Sequence, residues 1–501
     1  MDKVVNSKSE NLRRRLIEES LKNQYNLTPE AISTLEIMED PIEALKKTIK
    51  YLSTSRPEVI VISREHIREA CLHSIDTGQK ASDTVFEKSL NMEWTPSIEI
   101  DERYLNHYEI EGSIVEFQNY FKSRYMKLKS ILEDRGESFT KIKDALRSPK
   151  GTESTLAVML LEKKETERSI VLEVEDDTSN IRIVVPKKDN DLVKKTERLL
   201  LDQVFGVRAV KINNSIIARD IFQPDIPMRP RKIDRVSQDV YIVLISDLHI
   251  GSKKFREDLW ESFLDWLNNS RDPEVKKIRY LVIGGDMVDG VGIFPNQDKE
   301  LEYTSIVQQI EESSKLLSEI PESIKIIISV GNHDPVEKAI PQPPLQSKYR
   351  EILGKSREYI FVGNPALIKV EDRSLLIYHG QSMDDIIQHL PNVSYSTLDR
   401  EIKNVLEMMI QCRHLAPIYG ESTPILPTPE DLLVIEDIPD ILHTGHVHVA
   451  YVGSYREVVL VNSGTWQEQT SYQRELGLEP TVGTSVIVNL KTLTAKLKKF
   501  T

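Results

Sequence analysis

The sequence predicts a multidomain protein with a helical N-terminal region, a small β-barrel and a large C-terminal α/β domain. Three observations carry this reading. At 501 residues the chain is longer than one core fills, since single cores rarely grow past roughly 250 to 300 residues. The hydrophobic period also changes along the chain, from helical to alternating and then to β-branched apolar runs separated by helix-like stretches. Finally, five of the late apolar runs each stop abruptly at Asp, Asn or His, as buried strands do where a ligand site lies at their carboxyl ends.

Composition narrows the class. Hydrophobic residues make up 39% and charged residues 29%, the balance of a soluble globular protein. No run approaches the roughly 20 apolar residues of a membrane span, and "MDKVVNSKSENLRRR" lacks the apolar core of a signal peptide, so a cytoplasmic location without membrane contact is expected. A net charge of −13 argues against nucleic-acid binding over the whole surface, while leaving a local basic stripe or a metal centre free to meet phosphate. Cys71 and Cys412 have no CxxC partner, which excludes a disulfide framework and a cysteine-based zinc site and leaves two buried thiols.

Residues 1–72 read as a small helical domain. In "NLTPEAISTLEI" Thr28 is placed to cap a helix that starts at Pro29, and "ISREHIREACLH" repeats the signal from Ser63. The stretch 73–100 is polar and aperiodic, so it reads as a linker. Residues 101–150 read as a helical connector. Its helix "SIVEFQNYFKSRYMKLKSILEDRG" opens on a Ser113–Glu116 capping box and ends at Gly136. Its expected core face is Ile114, Phe117, Phe121, Leu128, Ile131 and Leu132.

From 151 to 235 the period is two. "STLAVMLLEK", "SIVLEVED", "NIRIVVP", "VRAVKINN" and "SIIARDIF" give five strands, with the helix-like "DLVKKTERLLLDQVFG" between the third and fourth. That order fits an OB-type barrel, a fold that carries oligonucleotides or serves as a docking surface. The Pro-rich "QPDIPMRPRK" marks the exit.

Residues 236–501 hold the chemistry. The five runs "VYIVLISDLHIGS", "RYLVIGGDMVDG", "IKIIISVGNHDP", "SLLIYHGQS" and "DILHTGHVHVA" deliver Asp247 and His249, Asp286, Asn332 and His333, His379, and His446 and His448. Two apart on an extended segment, Asp247 with His249 and His446 with His448 would face the same way. Mixed imidazole, carboxylate and amide donors suit manganese, iron or zinc rather than magnesium or calcium. Seven candidate ligands exceed one ion's needs, so two ions about 3.5 to 4 Å apart, bridged by Asp286, are expected. A lone "GDMVDG" reads as a turn and a lone "GNHDP" as a helix start capped by Asp334. Five of the 11 histidines gathered at strand ends reverse that reading. His443, His389 and His414 are expected to be structural.

At these residues the sequence resembles the calcineurin-like metallophosphoesterase superfamily, with its pattern D-x-H, G-D, G-N-H-[DE], H and G-H-x-H. It stands here as Asp247-Leu248-His249, Gly285-Asp286, Gly331-Asn332-His333-Asp334, His379 and Gly445-His446-Val447-His448. The resemblance implies a sandwich of two mixed β-sheets flanked by helices. "CRHLAPIYGESTPILPTPEDLLVIEDIPDILHTGHVHVA", the helix "FQNYFKSRYMKLKSILEDRG" and the OB-like region resemble, more narrowly, the small subunits of archaeal family D DNA polymerases.

That likeness implies a large polymerising subunit as partner in a heterodimer. It also implies a manganese-dependent 3′-to-5′ exonuclease, with iron or zinc as alternative metals, acting on single-stranded 3′ ends of DNA. Carried over residue by residue, Asp247, His249, Asp286 and His448 would hold one ion, and Asp286, Asn332, His379 and His446 the other. His333 would stabilise the transition state or protonate the departing 3′ oxygen. Lys253, Lys254 and Arg256 either steer the strand's phosphates or form a solvated loop, and the long stretch between His379 and His446 is expected to cap the cleft or meet the large subunit. A stand-alone phosphatase or cyclic-nucleotide phosphodiesterase, and a catalytically silent assembly subunit, are the competing classes.

Overall fold

The structure, a computed structural model, describes the chain except residues 1, 24, 37, 39, 57–58, 60, 65, 68–69, 71–95, 106–107, 214, 229–235 and 237–238, and the side chains of 2–11. It falls into two compact units, Met1–Thr95 and Pro96–Thr501. Among the described residues no helix is long and apolar enough to cross a membrane.

The first unit holds α1 (Asp2–Lys22), β1 (Asn26–Leu27), α2 (Pro29–Glu36), α3 (Pro41–Ser55) and β2 (Val61–Ile62). Thr28 caps α2 as the sequence suggests, its Oγ1 accepting the Ala31 N–H at 3.2 Å. Asp40 does the same for α3, accepting from Glu43 N at 3.0 Å ahead of Pro41. Leu16, Leu35, Leu45, Leu52 and Ile62 pack together behind these helices. The helix expected after Ser63 falls partly outside the described residues, as do Cys71 and most of the 73–100 linker. The end of that linker is a strand instead: β3 (Ile98–Ile100) pairs antiparallel with residues 368–370 of the C-terminal domain.

The second unit continues with α4 (Ile114–Glu133) and α5 (Ile142–Arg147). The capping box forms, with Ser113 and Glu116 satisfying each other's orphan N–H groups. The buried face of α4 differs from the expected one. It runs through Tyr120, Arg124, Tyr125, Leu128 and Leu132, while Ile114 is 77% exposed. Periodicity counts Arg124 as polar, yet its guanidinium is fully buried against Asp431, and this turns the helix.

Strands β4 (Glu153–Glu165), β5 (Ser169–Glu175), β6 (Asn180–Pro186), β7 (Val204–Ile212) and β8 (Ser215–Phe222) close into a barrel in the order β4-β5-β6-β8-β7. Its core of Leu156, Val158, Leu172, Val185 and Phe205 is plugged by Ile142 and Ala145 of α5. The helix between the third and fourth barrel strands, α6 (Asn190–Glu197), is shorter than its apolar pattern suggested. A left-handed residue at Asp202 ends the segment, and Val204, Phe205 and Gly206 belong to β7.

Two six-stranded sheets make up the rest. The first has the order β12-β11-β10-β9-β18-β19, from β9 (Tyr241–Ile245), β10 (Ile278–Gly284), β11 (Lys325–Ser329), β12 (Ile360–Phe361), β18 (Thr484–Asn489) and β19 (Ala495–Lys499). The second has the order β16-β17-β15-β14-β13-β3, from β13 (Ala366–Val370), β14 (Arg373–Ile377), β15 (Ile441–Thr444), β16 (Tyr451–Tyr455) and β17 (Val458–Asn462). The strands that carry the five motifs run parallel within each sheet, so their carboxyl ends gather on one side. The inner faces touch, with His443 lying against Gly284 and Ser463 bonded to Ser246 at 2.8 Å.

Helices α7 (Glu257–Asn269), α8 (Ile306–Ser318) and α9 (Ser347–Leu353) pack on the outer face of the first sheet. On the outer face of the second lie α10 (Met383–His389) and α11 (Leu398–Cys412). The stretch expected to cap the cleft is mostly core on this outer face: Leu406, Met409, Cys412, Leu415, Ala416 and Leu433 bury against Leu376, Leu442 and Leu460. A short helix, α12 (Ser471–Leu476), follows β17.

Candidate metal centre

The motif residues sit just past the strand ends, where the chain leaves the extended conformation. Asp247, His249, Asp286, His446 and His448 have φ of 53°, 51°, 50°, 67° and 58°. The paired residues therefore reach the site from left-handed loop positions, and not through strand parity as the spacing suggested. A non-glycine residue in this region costs on the order of 1 kcal/mol or more, and such strain persists only where the surroundings enforce it. Bonds between the loops do so, among them Asp247 N to Gly285 O at 3.0 Å, His249 N to Asp286 O at 3.1 Å and Gly445 N to His379 O at 2.8 Å. The motif glycines have a steric reason as well. A Cβ on Gly331 would overlap Asp286 Oδ1, one on Gly445 would overlap Asp247 Oδ2, and one on Gly285 would lie 2.6 Å from His379 Nδ1.

All eight residues singled out in the sequence converge. Three overlapping groups, Asp247 with His249 and His448, His249 with Asp286 and His333, and Asp286 with His379 and His446, each bring their ligand atoms within 4.8 Å of one another. Asn332 joins the last group, its Oδ1 3.1 Å from His446 Nδ1. Asp286 lies at the centre, with Oδ2 3.1 Å from His379 Nε2 and 3.9 Å from His249 Nε2. His443, His389 and His414 lie outside all three groups.

Burial disfavours the carboxylate charge of Asp247 and Asp286, yet the surrounding imidazoles outweigh it: both acids are held below their ordinary range, Asp286 well below. The histidines divide. Burial lowers the His379 imidazole, but the Asp286 carboxylate wins and raises it to about 10. Burial prevails at His333, which is pushed down to about 4. Asp334, raised to about 7 by burial and by the Asp286 charge, caps no helix. It accepts from Met287 N, Val288 N and Gly331 N at 3.1, 3.3 and 2.8 Å, lacing two motif loops together.

The donor set fits divalent metal. Four imidazoles have one nitrogen held by an oxygen that only accepts: His249 Nδ1 by Asp289 Oδ1 at 3.0 Å, His333 Nδ1 by the Asp289 carbonyl at 2.7 Å, His379 Nδ1 by the Gly284 carbonyl at 3.0 Å, and His446 Nε2 by Asp384 Oδ2 at 2.9 Å. A proton then sits on that nitrogen, which leaves the other nitrogen to face the site. At His446 that nitrogen's lone pair faces another. His446 Nδ1 meets Asn332 Oδ1, while the proton that the Asp286 carboxylate draws onto His379 Nε2 stands where a cation would take its place. Such an arrangement calls for positive charge between the atoms. His448 differs, because its Nδ1 lies 2.8 Å from the Gln473 amide nitrogen, so it holds a proton on Nε2 toward His249 and Asp247, where a cation would take its place.

Sequence reasoning missed the residues behind these histidines. Asp289 stands three residues after Asp286 in "GDMVDG", and its second acid was a signal that could have been read. Asp384, Gln467 and Gln473 carried no such signal. Gln467 donates to Asp289 Oδ1 at 2.8 Å and so extends the support of His249. The basic triplet is engaged locally: Lys253 donates to Lys299 O, Lys254 to Gln469 O, and Arg256 pairs with Asp258 and Glu468.

Residues 242–453 match the family of the B-type subunit of DNA polymerases alpha and epsilon, a span that contains all eight converging residues. The chain is 40% identical over 378 residues to the DNA polymerase II small subunit of Archaeoglobus fulgidus, covering 74% of this chain and 75% of that one. Its match to the DNA polymerase II small subunit of Halobacterium salinarum is 32% identical over 509 residues, covering 97% and 98%. The chain belongs to the archaeal DNA polymerase II small subunit family. The Pyrococcus horikoshii member of the family is 34% identical over 505 residues, 93% of this chain and 80% of its own. Membership therefore extends beyond the metal centre to the barrel and the helices before it.

Proposed function

We propose that this chain is the small subunit of an archaeal replicative DNA polymerase and carries a 3′-to-5′ exonuclease acting on single-stranded or mismatched 3′ ends, in the cytoplasm and in complex with a large polymerising subunit. The observation that supports it most is the convergence of eight ligand-type side chains, with Asp286 at their centre. On this reading the two facing sheets form a calcineurin-like metallophosphoesterase sandwich. The barrel, with its strand order and its helix between the third and fourth strands, is an OB-type barrel.

Asp247, His249, Asp286 and His448 would hold one divalent ion, and Asp286, Asn332, His379 and His446 a second; the mixed donors suit manganese, iron or zinc, and the family resemblance puts manganese first. Such ions, when bound, supply Lewis acidity toward phosphoryl oxygens and a water activated near neutral pH. The chain supplies the rest. Asp289 and the Gly284 carbonyl fix the tautomers of His249 and His379, and buried loops keep bulk water from the carboxylates. His333 has Nδ1–H committed to the Asp289 carbonyl, so Nε2 is its one free position. As water adds to phosphorus and the bond to the 3′ oxygen breaks, the proton that the water gives up would be taken at this nitrogen. It would be shared with a non-bridging phosphoryl oxygen or delivered to the departing 3′ oxygen, and a nucleoside 5′-monophosphate would leave.

The test pairs two variants on end-labelled DNA. His333→Ala is expected to lower manganese-dependent 3′ trimming about 100-fold or more while its metal content by elemental analysis equals that of wild type. Asp286→Ala is expected to lose both trimming and metal. Trimming by His333→Ala at the wild-type rate would remove its role. Brisk hydrolysis of a small phosphodiester with no action on DNA and no complex with a large subunit would favour the stand-alone phosphoesterase.

A further inference from the structure

The His446 imidazole is held from behind by a residue that none of the five motifs contains. Asp384, at the start of α10 and 31% exposed, accepts the His446 Nε2–H at 2.9 Å through Oδ2. Its other oxygen accepts the Tyr395 hydroxyl at 2.7 Å. Tyr395 lies in the turn that starts α11, and a capping box between Ser394 and Thr397 fixes that turn. The turn also lies beside Gly477, the residue that ends α12, where an added Cβ would contact Ser396 Cβ at 3.4 Å. Helix α12 carries Gln473, which bonds His448. Two segments outside the motifs thus meet each other, and each reaches one histidine of the G-H-x-H pair.

The chemistry of the Asp384 contact is specific. A carboxylate only accepts, so it places the imidazole proton on Nε2 and leaves the Nδ1 lone pair aimed toward Asn332 Oδ1. With the carboxylate gone, that choice of tautomer loses the acceptor that makes it. We propose that Asp384 and Tyr395 are a positioning pair for the second metal ion, and that through them the segment entering α11 sets the geometry of His446. This rests on the two-metal reading above. It gives the start of the stretch between His379 and His446 a role at the metal centre, while the remainder of that stretch packs against the second sheet.

The test titrates the full chain with Mn2+ by calorimetry and follows the spin-coupled signal of paired Mn2+ by electron paramagnetic resonance, neither of which requires turnover. Wild type is expected to bind two ions. Asp384→Leu, which removes the acceptor while keeping the branched shape, is expected to weaken one of the two by about 10- to 100-fold, leave the other unchanged and abolish the coupled signal at substoichiometric metal. Asp384→Asn keeps an oxygen acceptor and is expected to stay close to wild type. Tyr395→Phe is expected to weaken the same ion by roughly fivefold, the worth of one net hydrogen bond. Two unchanged affinities in Asp384→Leu, with or without a lowered melting temperature, would reduce the pair to a packing feature and overturn the proposal. If wild type itself bound no paired ions, the two-metal reading would fall and this inference with it.

Discussion

Gly445 has no side chain, and the position tolerates none: a Cβ there would overlap both Asp247 Oδ2 and Ser246 Oγ. The same carboxylate receives the His446 N–H at 3.0 and 3.1 Å, so Gly445→Ala would push Asp247 off its place and break the loop contact that holds His446. The expected outcome is a chain that folds but retains less than one bound Mn2+ where wild type retains two, measured by elemental analysis after desalting. A full metal complement in this variant would show that the loop relaxes freely, which buried side chains packed this closely do not readily allow. The glycines and ligand-type residues of the motifs were legible because the residue types able to hold a metal are few and stand at few spacings. The supporting residues were not, since an Asp behind a histidine looks like any surface Asp until the fold brings Asp289 to His249 and Asp384 to His446.

Between elements, the least expected feature is the buried network that joins α4 to the segment after α11. Arg124 and Asp431, both fully buried, pair at 2.7 Å, and the guanidinium also donates to the Pro417 carbonyl at 2.6 Å. His414 completes it. Its Nδ1 accepts the Ala416 N–H at 3.0 Å and its Nε2–H is given to Asp431 at 2.9 Å, so the neutral ring is fully satisfied. Burial, reinforced by the Arg124 charge, pushes this imidazole down to about 4. An ordinary histidine titrates near 6.5 when unfolded, so between those values the unfolded chain binds more protons than the folded one. Stability is therefore present above about pH 6.5 and lost as pH falls toward 4, by up to about 1.4 kcal/mol per pH unit. Thermal melts from pH 7.5 to 5, in saturating divalent metal, should show wild type losing stability relative to His414→Gln as pH falls; parallel curves would contradict the assignment. Sequence reasoning placed His414 as structural and found the α4 capping box. It missed the network because an apolar-periodicity reading discards an arginine, and here the arginine defines which face of the helix is inside.

For the whole molecule, the order of modules was readable from changes in hydrophobic period, but the boundaries between them were not. A cut at residue 236 looks natural in the sequence, after a Pro-rich exit and before the first metal motif. The structure joins what that cut divides. β3 is the edge strand of the second sheet, with Glu99 opposite Lys369, and the Ser97 N–H reaches the Tyr280 hydroxyl at 3.2 Å. Tyr120 of α4 sits in the core built on the outer face of that sheet. Long-range pairing of this kind leaves no local trace, because β3 is only three residues long and lies more than 260 positions from its partner strand. Removing residues 1–235 would strip away β3, expose that core and take Arg124 from the Asp431–His414 network. Breaking a buried ion pair alone costs about 3 to 5 kcal/mol, a large share of the roughly 5 to 15 kcal/mol that stabilises a folded protein. The fragment 96–501 follows the compact unit instead and keeps every one of these contacts. Purified side by side, 96–501 is expected to run as a monodisperse species with a cooperative melt and the metal content of the full chain. The fragment 236–501 is expected to aggregate or to melt at least about 10 °C lower, taking about 2 to 4 °C per kcal/mol for a domain of this size. Equal melts for the two fragments would mean that the metal domain is self-sufficient, and that β3 and α4 merely rest on a fold that does not need them.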